Sequence, residues 1–384
     1  HRLITALEGT TGSRFVFYDP QPKIREADDW TFGMVHKQPY ADNWMRLPTA
    51  SAWVRHMIQH KFYLVPHTFV PPSSEPNAAT LRPGSRLFST AQTEFMHGKL
   101  QKELKRGVQS VSPVQPRVTH AVCLVDKPPG SSEPWRIVHN MAKFRRYFSK
   151  LPFKQENLRT FPSVFKPGMW FWGNDLESAY HALEVQPWMR TLMGIQFDDV
   201  YYVSNSAPFG FRASAAWITR LQKAIVAYLR SEYKFATIVY IDDGIFGAES
   251  FAEAVLMQAI VIGIYESLGF RLNRKTYLLP TQSPAFLGAI AHCAAAIPSW
   301  HIPRPKMERY RESAQSLLSG ALEVPVRKLA KTIGQLVSMA IAVPVTKVLS
   351  NELYQALYHK PIQSWKASSA RLSADALSEL RFFV

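Results

Sequence analysis

One stretch limits this chain more than any other: "ATIVYIDDGIFG", residues 236–247. Two apolar runs of strand-forming residues flank a short polar break, which reads as a β-hairpin. Asp-Gly is the expected turn, because both residue types tolerate positive φ. Turn chemistry alone explains an aspartate before the glycine. A metal site also explains why Asp242 and Asp243 stand side by side. The two readings are compatible, and only a third carboxylate elsewhere in the chain can favour the second.

The chain has 384 residues, which suits two or three subdomains around a shared core. Apolar residues make up 47% and charged residues 19%, enough to offset the entropy of folding. Lys and Arg number 45 against 29 Asp and Glu, a net charge of +16. Such an excess predicts a polyanionic partner, with nucleic acid favoured over a merely basic surface. Cys123 and Cys293 are the only cysteines, which excludes a disulfide framework and a four-cysteine zinc site. No apolar run approaches the roughly 20 residues of a membrane span, so no membrane partner is expected. The chain opens on His1 and not Met, as a fragment or processed product would.

Residues 49–62, "TASAWVRHMIQHKF", read as a short helix. Residues 71–85, "PPSSEPNAATLRPGS", hold four prolines and little to bury, and read as a linker or strap. A helix then opens on Ser89, with Gln92 at capping-box spacing and Met96, Leu100 and Leu104 on one face. Lys105, Arg106 and Gly107 supply a basic last turn and a glycine stop. "RVTHAVCLVDK" and "WRIVHN" read as strands joined by "PPGSSEP". "RASAAWITRLQKAIVAYLRSEY" is an amphipathic helix, its stripe of Trp217, Leu221, Ile225 and Tyr228 meant for core packing. An apolar helix over 251–268 stops at Gly269. After Pro305 the text turns helical, with "VRKLAKTIGQLVSMAIAV" bracketed by Pro325 and Pro344.

The third carboxylate is Asp175, at the end of the apolar strand in "MWFWGNDLESAYH". Two-metal phosphoryl transfer needs carboxylates from separate strands that converge on ions about 3.5–4 Å apart. Taken alone, Asp175 is as well explained as a strand-end or helix-cap residue. Order decides. "NSAPFGFRASAAWITR" lies between the acidic sites, and "LGFRLNRKTYLLP" and "PAFLG" follow the hairpin.

This succession resembles the palm of a reverse transcriptase, most closely the retrotransposon enzymes of gypsy and DIRS type. The resemblance covers roughly residues 90–384. It implies an α+β, right-hand polymerase fold, with fingers, a palm of antiparallel sheet backed by helices, and a helical thumb. The implied layout is an N-terminal extension and linker over 1–85, fingers and the start of the palm over 86–174, palm over 175–302, and thumb or connection over 303–384. "THAVCLVDKPPGSSEPWRIVHNM" is similar to the fingers hairpin of that family, and "FLG" at 286–288 to the hairpin that supports the primer.

By the same resemblance, Asp175, Asp242 and Asp243 hold two Mg²⁺ ions, or Mn²⁺, with the Leu176 carbonyl as a further ligand. Tyr180 takes the place of the aromatic ring that blocks a ribose 2′-hydroxyl. Phe209 and Gly210 floor the incoming nucleotide and approach the template, where glycine allows close backbone contact. Lys127 and Arg136 grip the triphosphate, as an ammonium and a guanidinium fork can. Lys275 stands for a lysine that protonates the leaving pyrophosphate, with Arg274 one residue away as the alternative. Without the flanking motifs, Tyr180 would read as a core tyrosine and the two fingers cations as solvated strand-end charge.

Two departures bear on the fingers and the nucleotide grip. His139 stands where the family carries an aspartate after its arginine, and Ser178 where a second acidic residue is common. The sequence therefore predicts an RNA-directed DNA polymerase acting on an RNA template, a DNA primer and deoxynucleoside triphosphates. The alternative is a catalytically silent, reverse-transcriptase-like subunit that binds structural RNA in a ribonucleoprotein assembly with other protein chains.

Overall fold

The computed structural model describes residues 32–70, 88–127, 133–142, 144–295, 298–320, 322–358 and 368–384. The Pro-rich stretch 71–85 and most of the turn expected at 128–134 lie outside the described residues. The chain falls into two compact units. One comprises His1–Glu156, Asn174–Ala248 and Ala252–Leu279; the other comprises Asn157–Gly173, Glu249–Phe251 and Pro280–Val384.

The first α-helices among the described residues of the first unit are α1 (Tyr40–Arg46) and α2 (Ala52–His60). Ser51 caps α2 by accepting the Val54 amide, inside the stretch that the sequence marks as a short helix. The indole N–H of Trp44, fully buried on α1, donates to the Leu268 carbonyl at 2.9 Å, and Asn43 donates to Ser267 at 2.7 Å. These contacts fix the start of the described chain to the end of a helix more than two hundred residues later.

Helix α3 (Thr90–Lys105) carries the capping box expected of Ser89 and Gln92, with both reciprocal bonds present. Its Met96 and Leu100 pack with Val122, Ile137, Ile195 and Phe197 of a sheet beside it. That sheet is built from β1 (Gln109–Ser112), β2 (Thr119–Asp126), β3 (Trp135–Asn140), β5 (Gly194–Phe197) and β6 (Val200–Ser204), in the order β1-β6-β5-β2-β3. β2 and β3 pair antiparallel over Ala121↔Asn140 to Asp126↔Trp135, the hairpin read from the sequence. β2 and β5 are parallel, which makes the sheet mixed.

Helix α3 also buries Glu103, a residue that sequence pattern assigns to a solvated helix face. It is 8% exposed, and burial pushes its carboxyl up from the usual 4.5 to about 7, against the pull of Lys99 and a hydrogen bond from Gln109. The fold therefore favours the protonated acid. That contribution is complete below about 4.5 and is lost as pH rises through about 7. Glu103→Gln is expected to remove this pH dependence and to raise stability at pH 8 by on the order of 2–3 kcal/mol. Urea unfolding of both proteins at pH 5 and pH 8 checks it; equal slopes of stability against pH would refute it.

β4 (Trp170–Asp175) ends in the first unit and edges a sheet of order β4-β8-β7, formed with β7 (Ala236–Tyr240) and β8 (Asp243–Ala248). α4 (Ser214–Glu232) packs on β7, with Trp217, Leu221 and Ile225 fully buried and Tyr228 nearly so. α5 (Phe251–Ser267) follows and stops at Gly269, at φ +85°.

The hairpin turn lies two residues earlier than the sequence suggests. Tyr240 pairs with Asp243 and Val239 with Gly244, so the loop is Ile241-Asp242 and not Asp243-Gly244. Ile241 sits at φ +54°, a strained conformation for a β-branched residue. Tertiary bonds hold it there: Gln222 on α4 donates to the Ile241 carbonyl at 3.1 Å, and the Leu176 amide donates to the Asp242 carbonyl at 3.1 Å.

In the second unit, β9 (Ala285–Phe286), β10 (Ala289–His292) and β11 (Ser299–His301) form a small antiparallel sheet. Leu287 and Gly288 make the turn of "FLG", both at positive φ, and Lys306 Nζ donates to the Gly288 carbonyl at 2.9 Å. Helices α6 (Arg304–Leu318), α7 (Val326–Val337), α8 (Asn351–Tyr358) and α9 (Ala374–Phe382) then share one core around Leu317, Leu329, Leu336, Leu353 and Leu380. α7 ends at Val337, short of the run to Val343 that apolar content predicts. The chain breaks into turns from Ser338 before Pro344 starts the next helical segment.

Candidate active site

β4 delivers Asp175 to the edge of the hairpin, and backbone bonds lock it in place. Its amide donates to Thr276 Oγ1 at 3.0 Å, and its carbonyl accepts the Asn273 amide at 2.8 Å. Leu176 is buried, and its amide reaches the Asp242 carbonyl. That single bond limits the Cα separation of Asp175 and Asp242 to about 8 Å by covalent geometry.

Three acids then feel one another. Burial raises the Asp175 carboxyl, Lys275 opposes the rise, and Asp242 and Glu177 add to it. Burial raises Asp242 too, countered by its own backbone amide and by Arg136. Asp243 is pushed up to about 6, first by burial and then by the charges of Asp242 and Asp175, with Lys275 opposing. Lys275 Nζ lies 3.9 Å from Asp175 Oδ2. Among the described residues no group of three or more His, Cys, Asp or Glu side chains is drawn together as a metal-holding set.

After Asp175 the chain turns through Ser178, which is left-handed at φ +53°, into a short 3₁₀ helix, Ala179–Ala182, that carries Tyr180. The Tyr180 ring lies 4.9 Å from that of Phe209, and the Arg136 guanidinium stands 5.2 Å above the same Phe209 ring. Burial pushes the Tyr180 hydroxyl up to about 12, aided by Asp242 and opposed by Arg136. The acids and the aromatic floor are therefore one electrostatic neighbourhood.

Phe209 and Gly210 dock on β3, where the His139 amide donates to the Phe209 carbonyl at 2.9 Å. Gly210 sits at φ +102°, and a Cβ there would run into the His139 carbonyl. Gly210→Ala is expected to cost about 2 kcal/mol or more, since both backbone strain and a clash with β3 follow. A melting temperature equal to wild type would refute this packing. His139 itself is 4% exposed, and burial holds its imidazole down to about 3, so a neutral ring occupies the place of the expected family aspartate.

Lys127 stands outside the group. Its ammonium lies 2.8 Å from Glu133, which Lys99 on α3 also meets at 2.8 Å. Burial opposes ionisation of Glu133, yet hydrogen bonds from Lys127 and Lys99 hold its carboxyl down to about 2. A cavity of about 1000 Å³ opens beside Gly210, lined also by His139, Asn140, Arg146 and Arg212.

Sequence reasoning missed several supporting residues. Gln222 bonds both the Ile241 carbonyl and, at 2.5 Å, the Tyr265 hydroxyl; its signal was a polar residue on the buried face of α4. Asn273 and Thr276 clamp the Asp175 backbone, and His181 lies edge-on to Phe209 at 6.1 Å.

Searches against protein-family models and curated proteins find no match to this chain. Solved structures do match. A foamy viral protease-reverse transcriptase (dRH) in complex with double-stranded DNA aligns over 90% of this chain and 59% of its own, with TM-score 0.59 and 15% identity. The fold is that of a reverse transcriptase. The same foamy viral protein in a second complex with double-stranded DNA gives TM-score 0.59 at 15% identity, covering 90% of this chain and 70% of that one. In complex with an RNA/DNA hybrid it gives 0.58 at 15% identity, with coverage of 90% and 45%. The chain thus spans about half to two-thirds of the length of these reverse transcriptase chains.

Proposed function

We propose that the chain is an RNA-directed DNA polymerase that extends a DNA primer on an RNA template. The observation that carries this reading is the meeting, within one unit, of Asp175, Asp242 and Asp243 with Tyr180, Phe209 and Arg136. Two Mg²⁺ ions, or Mn²⁺, would be held by Asp175, Asp242 and Asp243 with the Leu176 carbonyl. The donor chemistry suits such ions, since carboxylates and a carbonyl are hard oxygens whose like charges a cation would offset, although the described side chains are not drawn into a metal-holding set in the metal-free fold. When bound, the ions supply charge stabilisation to the attacking and leaving oxygens.

The chain's own residues do the rest. Arg136 binds triphosphate oxygens through its guanidinium fork. Phe209 floors the sugar, and the Tyr180 ring fills the space of a 2′-hydroxyl. Lys275, beside Asp175, carries the proton that the leaving pyrophosphate needs. Lys127 joins the triphosphate only by leaving Glu133. The basic excess of +16 supports a nucleic-acid partner, as do the DNA and RNA/DNA complexes of the foamy viral protein. Among the described residues no helix is long and apolar enough to cross a membrane. The retrotransposon lineage, of gypsy or DIRS type, rests on the order of the sequence motifs.

The ion pair of Lys127 with Glu133 favours a second reading, a silent RNA-binding subunit of a ribonucleoprotein assembly. Incorporation of one deoxynucleotide by the purified chain, with Mg²⁺ supplied, tests the first reading. Binding of primed template without incorporation supports the second.

A further inference from the structure

Away from the acids, the first unit holds a separate cavity of about 620 Å³ whose walls are Pro66, His67, Phe69, Arg117, Trp188 and Thr191 among others. Its size falls in the range of about 300–1,000 Å³ typical of ligand sites. Two large aromatic side chains line it from the outside of the fold. Phe69 is 74% exposed and Trp188 42%, although residues of this kind are normally covered. Their exposure is not looseness. The Trp188 indole N–H donates to Gln186 Oε1 at 2.7 Å, and Gln186 in turn donates to the His60 carbonyl at 2.8 Å. The Arg117 guanidinium lies 5.0 Å over the Phe69 ring and donates to the Val70 carbonyl at 2.7 Å. Each ring thus has a fixed polar or cationic partner, and buried Leu192 and Val70 line the same cavity.

The charge is one-sided. Every described lining residue is apolar, neutral polar or basic, and none of them is a carboxylate. The His67 amide donates to the carbonyl of Tyr147, whose chain neighbour Arg146 lines the cavity beside Gly210. Arg212 and Arg146 line one cavity and His67 and Arg117 the other, and among the described residues neither lining includes a carboxylate. Exposed aromatic faces joined by cations suit unpaired nucleic acid, in which bases stack and phosphates seek positive charge.

We propose that this cavity binds an unpaired nucleotide of a nucleic-acid strand running away from the duplex, its base stacked on Phe69 or Trp188 and its phosphate near Arg117. The site rests on the nucleic-acid reading above and extends it to a strand position beyond the acids.

The test uses the full chain, a blunt RNA/DNA hybrid, and the same hybrid with a single-stranded 5′ template overhang of increasing length, read by fluorescence anisotropy. Wild type is expected to bind the overhang hybrid more tightly once the overhang is long enough to reach the pocket. Trp188→Ala and Phe69→Ala should each lose that gain by roughly 5- to 150-fold while leaving the blunt hybrid unchanged. Both side chains are exposed, so neither change threatens folding, and a thermal melt confirms it. An overhang gain that survives both substitutions overturns the pocket but leaves the nucleic-acid reading standing. Failure of wild type to bind either hybrid overturns both. Adenosine monophosphate that competes for the pocket as strongly as an overhang would make it a free-nucleotide site, which also overturns the proposal.

Discussion

Asp242→Asn is expected to abolish primer extension while leaving primed template bound. The substitution keeps size and turn preference but removes one of the charges that would face the proposed cations. It therefore lowers the rate by roughly 10²–10³-fold or more, the scale of losing a preorganised electrostatic partner of the transition state. Binding of primed template stays near wild type, because Arg136 and Lys275 beside the acids are assigned to the triphosphate and not to the template, and the site's own carboxylates repel phosphate. Folding offers an internal control. Burial raises the Asp242 carboxyl, so the ionised acid is a burden on the metal-free fold at neutral pH. The neutral amide should leave the melting temperature unchanged or higher. A variant that still extends at the wild-type rate would remove Asp242 from the chemistry. A variant that melts well below wild type would show a structural role instead.

Tyr180→Ala should open the site to ribonucleotides. The ring packs 4.9 Å from Phe209, the proposed nucleotide floor, which also takes the Arg136 guanidinium on its face. Overpacking a tight pocket by a small group costs about 1–3 kcal/mol. Removing the ring should thus lift ribonucleotide use by roughly 5- to 150-fold relative to deoxynucleotides. Competition between matched nucleotides on one template measures the ratio directly. An unchanged ratio, with deoxynucleotide use intact, would make Tyr180 a packing residue only.

What could be read from the sequence was what local chemistry decides. The Ser89–Gln92 capping box, the stripe of α4 and the paired strands β2 and β3 each follow from residues a few positions apart, and the structure has them all. The hairpin itself was equally legible, but its turn was not. Local preference pointed to Asp243-Gly244, and the fold places the loop at Ile241-Asp242. Gln222 and Leu176, 19 and 66 positions away, hold those two carbonyls, and no window around the turn contains them. The strain at Ile241 is what it costs to set Asp242 at the tip and Asp243 at the start of β8.

Charges were read least well, for the same reason. Lys127 has the residue type for a triphosphate grip, yet its partner is Glu133, shared with Lys99 of α3. Sequence shows that all three are present and not that they meet. Glu103 looks like any helix-surface acid until Gln109 and the sheet close over it. His139 reads as a lost carboxylate, whereas the structure makes it a buried neutral ring whose backbone braces Phe209.

The central claim is that these acids perform nucleotidyl transfer, and primer extension by the wild-type chain tests it most directly. A labelled DNA primer annealed to an RNA template is incubated with the purified protein and four deoxynucleotides, with Mg²⁺ present or chelated, while binding is followed in the same samples. The account predicts primers lengthened one nucleotide at a time, only with Mg²⁺ and only where template bases pair. Primed template that is bound throughout, with Mg²⁺ and deoxynucleotides present, and never lengthened would contradict it.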